Sequence, residues 1–184
     1  SELVSQVLDA GPAVVRVLDS DEASLFDFQT QYQQESHVRF LLGNIRDRER
    51  LRLAIEGVDV VFHAGALKHV EINEYNPFEA VQTNVQGTQN LIRAAIEEEV
   101  EAFVGISTDK ASNPTSVMGA TKLLSERLII AANNYKGHKD TCFGCVRFGN
   151  VLGSSGSVIP QFLKQIRDGG PVTVTDPEMT RFLM

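Results

Sequence analysis

The chain has 184 residues, 42% hydrophobic and 22% charged, which is enough for one core and implies ordinary globular material. Its net charge is −7 and its pI about 5.1, and the spaced Arg46, Arg48, Arg50 and Arg52 are its only basic crowding, so no nucleic-acid partner is indicated. No apolar run approaches the ~18 residues of a membrane span and no basic leader precedes an apolar stretch, so this segment is expected to make no membrane contact and to be cytoplasmic, although a longer parent with an amino-terminal membrane region is compatible with it.

Apolar periodicity predicts helix over 1–9, strand over 13–18, helix over 21–33, strand over 38–42, helix over 46–56 and strand over 58–63. It continues with helix over 77–98, strand over 102–106, helix over 117–134, strand over 141–148 and helix over 158–168. Continuous apolar strands alternating with helices call for an α/β fold, a parallel sheet covered on both faces. The chain opens inside a helix, with Leu3, Val4, Val7 and Leu8 on its apolar face and Gly11 with Pro12 as its stop. No glycine-rich phosphate turn of the form G-x-x-G-x-x-G occurs. The expectation is a fragment of a Rossmann-like, doubly wound parallel sheet that lacks its first strand and glycine loop. Residues 1–150 would form the dinucleotide-binding domain, and residues 151–184 the start of a truncated substrate-binding part.

Ser107, Thr108, Asp109 and Lys110 follow the apolar run AFVGI, at the carboxyl end of a strand where open parallel sheets hold ligands. A carboxylic acid beside an amine is an acid–base pair. The plainer alternative is that Asp109 caps the turn before Asn113 and Pro114 while Lys110 is solvated. A helix beginning near Ser116 puts Met118 and Lys122 one turn apart on one face, although Lys122 also reads as an exposed helical lysine. Asp19 closes the strand AVVRVLD, where an acidic residue grips ribose hydroxyls. No Arg follows it to accept a 2′-phosphate, which favours NAD over NADP. Ala64, Gly65 and Ala66 after the strand over 58–63 allow close approach of a dinucleotide, with Lys68 near phosphates or on the surface. His63 reads as a satisfied core histidine, and Asn84 as a residue that orders the site or satisfies a buried backbone group. Cys142 and Cys145 form a C-x-x-C inside an apolar strand with no second Cys pair, and read as buried neutral thiols rather than a redox or metal motif.

The stretches HAGALKHVEINEYNP, QTNVQGTQNL, STDKASNPTSVMGATKLLSERL, VRFGNVLGSSGSVIP and DPEMTRF, in that order, resemble the nucleotide-sugar 4,6-dehydratases of polysaccharide biosynthesis. These belong to the extended short-chain dehydrogenase/reductase superfamily, and the resemblance covers nearly the whole chain. It implies oxidation of a UDP-N-acetylhexosamine, usually UDP-N-acetylglucosamine, at C4, loss of water across C5–C6 and return of the hydride to C6. By resemblance Thr108 would hydrogen-bond the C4 oxygen, Asp109 would handle the leaving hydroxyl, Lys110 the C5 proton, and Lys122 the nicotinamide ribose. Met118 stands where most of the superfamily carries a tyrosine base; a subset of the dehydratases shares this methionine, whereas 4-epimerases rely on the tyrosine. Asn44 and Ile45 match adenine contacts. Asn150, Val158 and Arg181 match contacts to the sugar nucleotide, while Ser155 departs from an Arg found in some members. The resemblance also implies a homo-oligomer paired through helices such as 77–98 and 117–134. The competing readings are a nucleotide-sugar 4-epimerase and a non-catalytic nucleotide-binding module.

Overall fold

The computed structural model describes residues 2–153, 157–174, 176–180 and 183. Five short apolar runs form parallel strands: β1 (Val15–Asp19), β2 (Val38–Leu42), β3 (Val60–His63), β4 (Ala102–Thr108) and β5 (Cys142–Phe148). They pair as β1–β2 and as β3–β4–β5. The expected single layer is therefore interrupted between β1 and β3, which do not pair with each other. Both parts share one core nonetheless, because Leu18 of β1 and Leu41 of β2 pack onto the cluster built by Leu51, Val61, Leu91, Phe103, Ile129 and Phe143.

The helices that separate the strands are α1 (Glu2–Asp9), α2 (Glu22–Gln31), α3 (Arg48–Ile55), α6 (Thr88–Glu97), α7 (Val117–Tyr135) and α8 (Val158–Arg167). Three of them start where a side chain satisfies an amide of the first turn: Asp21 accepts from Ala23, Asp47 from Arg50 and Ser116 from Gly119. The helix expected over 77–98 is α5 (Pro77–Ala80), a π-helical stretch (Val81–Gly87) and α6 in series. A short helix that periodicity did not indicate, α4 (Val70–Tyr75), precedes it. Asn76 and Pro77 limit α4 to six residues, too few to show a period.

Phe103 is fully buried, with its ring 5.4 Å from that of Phe143 and 6.0 Å from that of His63. Burying such a ring contributes about 2–3 kcal/mol. Helix α7 lies close against β4 because Gly105 has no side chain. A Cβ there would collide with Ile129 Cδ1 and stand 3.3 Å from Cys145 Sγ. The reading of both cysteines as buried is corrected: Cys142 is exposed and Cys145 half-buried, since β5 pairs only with β4 among the described residues and leaves an edge toward solvent. Burial pushes the Cys145 thiol up to about 11, so it is neutral. The two residues are three apart on one strand, hence about 10 Å apart and on opposite faces.

His63 is buried as expected, with Nε2 2.8 Å from Thr88 Oγ1. Thr88 gives its own proton to Asn84 O at 2.6 Å, so His63 Nε2 is the donor of the pair. Burial, helped by the charge of Lys122, brings the imidazole down to about 4. Below about pH 6.5 the unfolded chain binds a proton that the folded chain refuses. Stability from this site is therefore full above pH 6.5 and is lost as pH falls toward 4, by about 3 kcal/mol in all. Denaturant titrations at pH 7 and pH 5 should show this slope in the native protein and a much flatter one in His63→Asn.

Candidate functional site

Strand β4 runs two residues further than the apolar pattern indicated, so Ser107 and Thr108 belong to it, and the chain then turns through one 3₁₀ turn, Asp109–Ala111. Thr108 Oγ1 accepts from Lys110 N at 3.4 Å and donates to Asp109 Oδ1 at 2.9 Å. Lys110 Nζ donates to the same Asp109 oxygen at 3.1 Å and to Asn150 Oδ1 at 3.2 Å. Four of the expected site residues thus form one hydrogen-bonded chain, with Asp109 and Lys110 about half exposed. Partial burial pushes the Asp109 carboxyl up, but hydrogen bonds from Lys110 and Thr108 and the Lys110 charge outweigh it. The carboxyl lies below its ordinary value and is ionised at neutral pH. The turn itself is capped by the Thr108 hydroxyl rather than by the Asp109 side chain; Asp109 contributes only its carbonyl, which accepts from Ser112 N at 3.0 Å, while its carboxylate faces Lys110.

Helix α7 supplies the rest. Lys122 Nζ donates to Ile106 O at 2.6 Å, two residues before Thr108, so Lys122 is largely buried against β4 rather than an exposed helical lysine. Burial holds its ammonium below the usual lysine value, against the opposing pull of the Glu126 carboxylate. Met118 is buried at 5% exposure and its thioether carries no proton to exchange. Gly119 decides how near α7 comes to the turn, because a Cβ there would stand 2.8 Å from Lys110 O and 3.3 Å from Pro114 Cβ. Glu74 of α4 fixes the start of α7 by accepting from Val117 N at 2.6 Å.

The residues read as cofactor contacts lie at the carboxyl ends of the strands. Asp19 ends β1, where its Oδ1 accepts from Asp21 N at 3.0 Å and its carbonyl from Gly43 N at 2.9 Å. Asn44 Oδ1 is occupied by Arg46 N at 2.9 Å, a local turn, and Ile45 packs onto the core beside Gly65 and Gly87. Ala64 and Gly65 are exposed, Ala66 half-buried, and Lys68 exposed in the loop after β3. Asn84 satisfies backbone groups: its side chain accepts from Leu67 N and donates to Leu67 O, pinning that loop, and it also bonds Thr121. The π-helical stretch frees Asn84 O to receive Thr88 and Ser125 hydroxyls. Small residues after β3, an acidic residue ending β1 and a lysine at the end of β4 fit a dinucleotide laid across the strand ends. Val158 begins α8 and is 48% exposed. Leu183 pairs with Asn150 in a parallel bridge, whereas Arg181 and Ser155 lie outside the described residues.

Sequence reading passed over Glu126, Arg147 and Ser112. Arg147 donates to Glu126 through Nε at 2.8 Å and Nη2 at 2.6 Å, and through Nη1 to Ser112 Oγ at 2.9 Å. The available signals were a charge inside the apolar run CFGCVRF and a glutamate four residues after Lys122.

A family model described as "Polysaccharide biosynthesis protein" matches residues 1–184. The chain is 59% identical over its whole length to an uncharacterized membrane protein of Methanocaldococcus jannaschii, covering 55% of that protein. It is 46% identical over 93% of its length to a UDP-N-acetylglucosamine 4,6-dehydratase (inverting) of Campylobacter jejuni, covering 51%. A UDP-glucose 4-epimerase of Rickettsia canadensis is 42% identical over 92% of this chain and half of its own length. The chain thus spans about half the length of the curated relatives it matches. Among solved structures, Pen from Bacillus thuringiensis superposes over all of this chain and 57% of its own, at TM-score 0.96 and 49% identity. The dTDP-glucose 4,6-dehydratase DesIV from Streptomyces venezuelae, solved with NAD and TYD, superposes over 99% of this chain and 62% of its own, at TM-score 0.85 and 28% identity. No helix among the described residues is long and apolar enough to cross a membrane. With its parallel strands alternating with helices and these relatives, the chain belongs to the polysaccharide biosynthesis protein family and has the Rossmann-like fold of the extended short-chain dehydrogenases/reductases.

Proposed function

We propose that the protein containing this chain dehydrates a UDP-N-acetylhexosamine, UDP-N-acetylglucosamine in the first place, to its 4-keto-6-deoxy form with NAD as cofactor. The observation that carries this reading is the Asp109 carboxylate, ionised and held by Thr108 and Lys110 at the end of β4, with an apolar Met118 on the neighbouring helix. NAD, when bound, would supply the hydride chemistry, as acceptor from C4 and donor to C6. An ionised Asp109 cannot begin as the acid; it accepts the C4 hydroxyl proton, with Thr108 orienting the C4 oxygen, and later gives that proton to the departing C6 hydroxyl as water. Lys110, half exposed, first gives one ammonium proton to solvent; its amine then takes the C5 proton and returns one to C5, and it takes its own proton back from solvent as the product leaves. One water leaves and both side chains end as they began.

Lys122 would hold the nicotinamide ribose, and Asp19, Ala64, Gly65, Ala66 and Lys68 the rest of the dinucleotide, with Asn44 and Ile45 shaping the adenine end. Asn150 and Arg181 would hold the sugar diphosphate and Val158 would line the nucleotide pocket, where the substrate-binding part starts near residue 151. Pairing of copies through the helices at 77–98 and 117–134 is the assembly in keeping with this family. The names of the Rickettsia relatives support a 4-epimerase as second reading, against which stands the inability of Met118 to exchange a proton.

Full-length protein given UDP-N-acetylglucosamine and NAD in deuterated water should yield a sugar lighter by one water and carrying deuterium at C5, by mass spectrometry and NMR. An isobaric product would establish the epimerase instead. Lys110→Ala should lower turnover by about 10²–10⁴-fold while nucleotide affinity changes little. The same replacement should raise the Asp109 titration toward the ordinary carboxylate value, read from its carboxyl ¹³C shift, because two of the interactions that lower it come from the Lys110 side chain.

A further inference from the structure

Ser107 alternates with Thr108 along β4 and so faces the opposite side of the strand from the Thr108 hydroxyl. It is 7% exposed, and its Oγ has no hydrogen-bond partner of full geometry, although its nearness to Glu126 helps to hold that carboxyl down. It borders a cavity of about 10 Å³ whose other walls include His63, Lys122, Ser125, Glu126 and Cys145. That volume is at the lower limit for one water molecule, which needs two to four polar partners. Three are at hand: the Ser107 hydroxyl, Lys122 Nζ with one of its three protons on Ile106 O, and the Glu126 carboxylate, whose oxygens have lone pairs left after Arg147.

Glu126 is 8% exposed and grasped by Arg147 through two parallel bonds. The third arm of Arg147 reaches Ser112, which closes the turn bearing Asp109 and Lys110. We propose that the cavity is a one-water site joining Ser107, Glu126 and Lys122, and that Glu126 and Arg147 are positioning residues that lock the helix carrying Lys122 to the turn carrying Asp109 and Lys110. The consequence for turnover rests on the dehydratase reading; the water and the charge relation do not. The titratable groups that face Lys122 are His63 from β3, Cys145 and Arg147 from β5, and Glu126 from its own helix. His63 and Cys145 are neutral, so among these four Glu126 is the negative charge that keeps a proton on Lys122.

The test uses the full-length protein in two measurements. A crystal structure near 1.5 Å resolution should show an ordered water within hydrogen-bond reach of Ser107 Oγ and Lys122 Nζ. A dry cavity, or Ser107 bonded directly to Glu126, overturns the water site. In a ¹³Cε titration, Glu126→Gln should lower the Lys122 midpoint and Glu126→Asp should bring it back, with the alkaline limb of turnover moving in step. An unmoved midpoint overturns the role of Glu126. Ser112→Ala, on the exposed loop, spares the core. It should reduce turnover about tenfold with KM unchanged, and unaltered turnover overturns the link through Arg147. If the wild-type protein dehydrates no UDP-sugar, the proposed function fails, while the water and the Lys122 titration still decide this inference.

Discussion

The close approach of α7 to β4 organises the rest of the molecule. It requires an absent side chain at both ends of the contact: Gly105 admits Ile129 against the strand, and Gly119 admits the first turn of the helix against Lys110 O. Along the stretch between them, Lys122 hangs on Ile106 O and Glu126 meets Arg147. Interiors packed to crystal density do not absorb an extra methyl group without shifting a neighbour. Here the neighbour is the backbone of the turn that carries Asp109 and Lys110, so a packing constraint and a chemical one coincide in the same few residues.

Charge is arranged around that contact in two compartments. On the open side, Asp109 and Lys110 pair with each other and remain reachable by solvent and ligand. On the buried side, Lys122 gives up part of its preference for the proton to desolvation and regains some from Glu126, while His63 and Cys145 are kept neutral. A Lys122 ammonium beside a second protonated group in so small a space would repel it. The neutral His63 avoids this and ties β3 through Thr88 to the π-helical stretch.

Much of the architecture was legible because its signals are local. Five apolar runs became five parallel strands and the Ser116 cap opened α7 where expected. The failures share a cause: each depended on what lies across from the residue. Helix α4 is too short to show a period, the π-helical stretch departs from 3.6 residues per turn to serve contacts with Leu67 and Ser125, and Cys142 is exposed because β5 leaves an edge uncovered. Glu126 and Arg147, on different elements, could be noticed singly as misplaced charges, but not as a pair.

The sequence by itself determined the α/β alternation, the family membership carried by ordered motifs, and the chemical kinds present at the end of β4: a hydroxyl, a carboxylate, an amine and, on the next helix, a lysine with a methionine one turn before it. These follow from side-chain identity and from periods of two and 3.6 residues, which the chain displays without folding. Only the tertiary structure decided the direction of the Asp109 shift, the burial of Lys122, the pinning of the loop after β3 by Asn84, and the joining of Glu126 to Arg147. Each of those depends on distances between residues tens of positions apart, and on how far water is excluded from between them, which no local pattern encodes.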